Sequence, residues 1–159
     1  MINKRILFIV IVLVLAMLSC GISPKTETIN SPSNIPVMTE LTNYNEVECL
    51  TGPPEGYSNA KCYKIDSNNI GTIVYKGSDI KALGLIVDVN YSDSNGLDKT
   101  ADFVSDVVKI AGWNEDDILN VTNKLADVDM GEKVVSGNIV ASMSLSSDEN
   151  YILLVYSHK

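Results

Sequence analysis

The stretch LGLIVDVNYSDSNGLDKTADFVSDVVKIAGW, residues 83–113, contains the change of period that decides the fold. Leu83, Leu85, Val87, Val89 and Tyr91 alternate with a face holding Gly84, Asp88 and Asn90. That period of two predicts a strand over 83–91, buried on one face and partly wet on the other. The turn Ser92-Asp93-Ser94-Asn95-Gly96 ends it, and Leu97, Ala101, Val104, Val108 and Ala111 then recur at spacings of four, three, four and three. Such spacing draws one apolar stripe along an amphipathic helix, with Gly112 as its stop.

Working outward, residues 60–65 and 70–76 are strand candidates, the second following an Asn68-Asn69 turn signal. Downstream, Asn114 suits the cap of a shorter helix, with Glu115, Asp116 and Asp117 favourably placed in its first turn. Ile118, Leu119, Thr122 and Leu125 give that helix its expected inward face. Ile139, Ala141, Met143 and Leu145 alternate as a strand, and residues 146–150 turn into a last strand, 151–156, apolar on both faces. A strand of that kind is expected to be central and covered on both sides. The order βββααββ predicts an α+β fold, an antiparallel sheet of about five strands with two helices packed on one face.

The folded part is expected over 44–159. All five prolines stand at or before Pro54, and residues 21–43 are dominated by Ser, Thr, Asn, Glu and Pro. A segment so poor in apolar side chains cannot offset its ordering entropy by burial, so 20–43 reads as a tether.

Ahead of the tether, Lys4 and Arg5 precede thirteen apolar residues, 6–18. As a helix this run spans ~20 Å, short of the ~30 Å hydrocarbon core, a length that suits the apolar part of a signal peptide. It ends in Met17-Leu18-Ser19-Cys20-Gly21, which resembles the lipobox of bacterial lipoproteins, with Met17 where leucine is commonest. The resemblance covers residues 1–21 and implies a signal peptide over 1–19, cleavage before Cys20, and a diacylglyceryl group on the Cys20 sulfur that anchors the chain to a membrane. An uncleaved signal anchor reaching Ile22 and an ordinary secretory signal are the alternatives. In each, the domain lies outside the cytoplasm.

Cleavage before Cys20 removes Lys4 and Arg5, moves the net charge from −8 to −10, and leaves ten lysines and no arginine. That composition argues against nucleic acid, whose phosphates need clustered cations and whose base edges are commonly read by guanidinium groups. It equally disfavours docking of the domain on anionic headgroups. Cys49 and Cys62 flank a turn-rich loop containing Gly52-Pro53-Pro54-Glu55-Gly56. In an oxidising compartment they are expected to form a disulfide, because the spacing matches neither a zinc site nor a Cys-x-x-Cys redox pair.

Signals for catalysis are weak. The single histidine, His158, is penultimate and expected to fray, which leaves a Ser-His-Asp arrangement without an ordered base. No phosphate-binding glycine loop is present. The weak calcium candidates are Asp88, Asn90, Asp93, Asn95 and Asp98 around Gly96. They fail the EF-hand pattern because Tyr91 stands where an acid is needed. Trp113, the only tryptophan, is a candidate recognition anchor or a core-closing side chain between the two helices. The expectation is a membrane-anchored, non-catalytic module binding an envelope protein or other envelope component, without a cofactor or a catalytic residue. A small carboxylate-based hydrolase and a purely structural envelope lipoprotein are the alternatives.

Overall fold

The computed structural model describes residues 41–49, 51–89 and 94–159. Within them, β1 (Asn45–Val47), β2 (Asn59–Lys64), β3 (Ile70–Lys76) and β4 (Asp79–Asp88) precede α1 (Ser94–Ala111) and α2 (Glu115–Leu125). The strands β5 (Lys133–Ser136), β6 (Ile139–Leu145) and β7 (Tyr151–His158) follow. All seven strands join one sheet in the order β1-β2-β3-β4-β7-β6-β5, every neighbouring pair antiparallel. The class is α+β, as the change of period predicts, but with seven strands rather than about five.

The two unexpected strands are the edges. β1 has three residues, all exposed, and β5 has four, with Val134 buried, too few to show a period of two above the background of a loop. β4 also starts earlier than expected, at Asp79, and ends at Asp88 rather than Tyr91. Its early start comes from the Gly77 turn (φ +65°), which folds β4 back on β3 through the pairs Lys76–Asp79 and Tyr75–Ile80.

Register explains which face is buried. The cross-strand rows Tyr63–Gly71–Leu85–Leu154–Met143 and Ile73–Leu83–Tyr156–Ala141–Val134 lie on one face. They share a core with Phe103, Val104, Val107 and Val108 of α1 and Ile118, Val121 and Leu125 of α2. Val121 takes the place expected of Leu119, which is only half-buried. Phe103, fully buried, seats its ring on Gly71, where a Cβ would overlap the ring carbons. Tyr44 meets the same ring edge-on at a centroid distance of 4.8 Å. Leu41, ahead of the expected start of the domain, is itself 3% exposed.

The other face is only partly covered. Its central row runs Cys62–Thr72–Gly84–Val155–Ser142. Cys49 is bonded to Cys62 with a Cα–Cα distance of 5.3 Å. That disulfide holds Glu48, Thr51, Gly52 and Pro54 over β2, β3 and Ile86 of β4. Closing a loop of this length contributes about 3 kcal/mol in the chain-entropy account. Beyond the loop the described residues leave the face partly exposed, Val155 to 41%. β7 is therefore interior to the sheet, and among the described residues one of its sides is covered and the other only in part, a correction to the two-sided burial its composition predicts.

The helix ends use the residues the sequence marks. Asn114 Oδ1 accepts from the backbone N–H groups of Asp116 (2.8 Å) and Asp117 (3.3 Å), a cap that stabilises by about 1 kcal/mol. At the end of α1, Gly112 takes φ +64°. Its N–H reaches Lys109 O and that of Trp113 reaches Val108 O, the closing bonds of a Schellman turn. Inside the core, Thr122 Oγ1 donates to Ile118 O (2.7 Å) and so accepts from the Tyr156 hydroxyl (2.9 Å).

Gly71→Ala is expected to lower the unfolding free energy by about 1–3 kcal/mol through overpacking against Phe103, measured by urea denaturation. A second outcome concerns alkali. Burial pushes Tyr156 up to about 12, with the Thr122 hydrogen bond acting the other way. A folded-state value above the ordinary 10.0 means full stabilisation below pH 10, lost as pH rises through 12. Tyr156→Phe is expected to cost about 1 kcal/mol at neutral pH and to show a shallower fall in stability over that alkaline window.

Candidate functional site

At the end of the sheet where β3 turns into β4, the Schellman turn of α1 faces the C-terminal end of β7. A cleft of about 630 Å³ opens between them. Tyr75, Ser78, Asp79, Ile80 and Lys81 line one side, Ile110, Ala111, Gly112 and Trp113 the other, with His158 at the strand end. The volume is that of an ordinary small-molecule site, ~300–1,000 Å³.

Local structure brings each group there. Gly112 reverses the chain after α1 and returns Trp113 to the core edge, 6% exposed. Tyr156 and His158 share one face of β7, and pairing with Ile139 fixes His158 on the helix side of the sheet. Its ring lies nearly parallel to the indole, with centroids 6.0 Å apart and an interplanar angle of 23°. Nδ1 is 2.9 Å from Lys159 O. His158 is thus the last residue of a strand, not a frayed end as its penultimate position suggests. The Tyr75 hydroxyl is raised well above its ordinary value, first by burial and then by Tyr63 and Glu46. At the rim, Lys81 Nζ lies 3.3 Å from Asp79 Oδ2, with the aspartate mostly exposed.

The arrangement offers an apolar floor, two stacked rings, and an acceptor next to a donor. Of these residues, Trp113 alone stands out in the sequence as a candidate anchor, and it is a buried wall of the cleft. Asp79 and Lys81 were legible only through the Gly77 turn, and His158 only through its spacing from Tyr156.

The other candidates lie elsewhere or outside the described residues. Cys20 is outside them, as are Asn90 and Asp93 of the calcium candidates, and the side chain of Asn95 is not described. Asp88 sits at the end of β4, where its N–H donates to Asn69 Oδ1 (3.1 Å). Asn69 is buried and also donates to Asp66 Oδ2 (2.8 Å), so this polar cluster ties the β2–β3 turn to β4. Asp98 is half-buried in α1. Among the described residues no group of three His, Cys, Asp or Glu side chains is placed to hold a metal ion, and no helix is long and apolar enough to cross a membrane.

A second depression, beside Tyr44, is lined by Lys99, Asp102, Asp106 and Lys109. Tyr44 donates to Asp106 Oδ2 at 3.2 Å, and burial, then Asp106, raises its hydroxyl well above the ordinary value. Those groups hold the entry of the chain against α1. Comparison with known proteins returned no matching family model, no matching curated protein and no matching solved structure.

His158→Ala is expected to shift Trp113 emission to longer wavelength and to raise its quenching by acrylamide, with the urea transition still cooperative. Unchanged emission would mean that the imidazole does not shield the indole.

Proposed function

We propose that the chain is an envelope lipoprotein, anchored through Cys20, whose domain is a non-catalytic binding module presenting the Trp113–His158 cleft. The observation that carries this reading is the Cys49–Cys62 disulfide. Disulfides persist in oxidising compartments and are rare in the cytosol, so the bond agrees with a chain that opens on a signal-like run and a lipobox-like pentapeptide. Support for binding over catalysis comes from how the cleft's groups are engaged. The imidazole is packed on the indole, with Nδ1 next to the Lys159 carbonyl, and the rim carboxylate faces the ammonium. The tether would then set the module off a surface that its net negative charge disfavours touching.

Mass spectrometry of the mature chain from membranes tests the anchor. The expected product begins at a diacylglyceryl-modified Cys20, and globomycin, which blocks the lipoprotein signal peptidase, makes the precursor accumulate instead. An unmodified chain retaining Met1 would turn residues 6–22 into a signal anchor and overturn the lipoprotein assignment.

A further inference from the structure

We propose that the cleft between the β3–β4 turn and the end of α1 binds an uncharged sugar ring. The proposal rests on the binding-module reading and names its ligand class. A pyranose has an apolar C–H face and a rim of hydroxyls, and the cleft has the matching halves. Ile80, Ile110 and the ring pair Trp113–His158 supply apolar and aromatic wall. At the rim the Asp79 carboxylate accepts only, the Lys81 ammonium donates only, and the two are 3.3 Å apart. Two neighbouring ring hydroxyls can serve that pair together, one donating to the carboxylate and the other accepting from the ammonium. Ser78, whose hydroxyl can do either, also lines the cleft.

Other ligand classes meet opposition at the same groups. An anion would compete with Asp79 for Lys81 and would face the C-terminal, electronegative end of α1, whose last residue Ala111 lines the cleft together with Gly112. A metal ion or organic cation finds one carboxylate, and that carboxylate is beside an ammonium. An acyl chain needs an enclosed apolar tunnel, whereas this cleft opens between charged side chains on one rim. A neutral ligand with hydroxyls at hydrogen-bonding spacing leaves the ion pair in place and adds bonds to it. Bonds to charged partners are the stronger kind.

Trp113 is the only tryptophan in the chain, so a ligand in this cleft reports itself in the protein's emission. The experiment titrates the full-length chain in detergent with maltotriose, cellotriose, mannotriose and triacetylchitotriose and follows Trp113 fluorescence. At least one is expected to give a saturable change. Asp79→Asn and Lys81→Met are each expected to weaken that binding about tenfold or more, with the urea transition unmoved because both side chains sit at the rim. Flat titrations with all four sugars overturn the sugar assignment, and so does a saturable change indifferent to both substitutions. Neither result touches the anchor, which mass spectrometry of Cys20 judges separately.

Discussion

Phe103 seated on Gly71 is the contact on which the rest of the packing depends. A phenylalanine ring fits between helix and sheet at this point only because the facing position gives up its side chain, and the sheet does so in β3, beside its central strand. From that seat the other buried positions follow. Val104, Val107 and Val108 come down on the same face, Tyr44 closes on the ring from the chain entry, and Tyr63 tilts against it at 5.9 Å. A helix displaced outward by one methyl group at this point would lift its whole apolar face, because protein interiors have little free volume to absorb the change.

The polar links are placed where that apolar contact leaves gaps. Thr122 and Tyr156 join α2 to the sheet with each donor accounted for, and Asn69 does the same between the β2–β3 turn and β4. Among the described residues no buried side-chain nitrogen or oxygen lacks a partner. A buried polar group costs little when paired and much when not, so these few bonds reinforce a register that one-sided burial already specifies, since a slip of one residue would turn each strand's apolar side chains to the wrong face.

Much of this was legible in the sequence, for identifiable reasons. The period of two at Leu83, Leu85 and Val87 and the stripe through Ala101, Val104 and Val108 survive because burial enforces them residue by residue, and the exposed Asn114 cap because its signal is local. Three features were not. β1 and β5 are too short to carry a pattern. The exposed side of β7 is as apolar as its buried side, so composition alone could not reveal that the described residues leave Val155 41% exposed. The penultimate position of His158 suggests fraying, whereas its spacing of two from the buried Tyr156 places it on the inward face of β7. The cleft follows the same rule: its walls come from three separate elements, and no linear spacing records that the β3–β4 turn, the end of α1 and the last strand meet.

The two edges of the sheet have a further consequence. β1 is three residues long, with Glu46 paired to Lys61 beside it. β5 is four residues long, and Lys124 of α2 reaches over to hold the Val135 carbonyl at 2.8 Å. Sheet edges are templates for another chain's strand, and shortness and lysine are the usual means of blunting them. Copies held by lipid on one surface would meet one another in two dimensions, at local concentrations far above those in free solution. Under the proposed anchor, an ammonium occupying an edge carbonyl would hinder neighbours from joining sheet to sheet into a continuous ribbon.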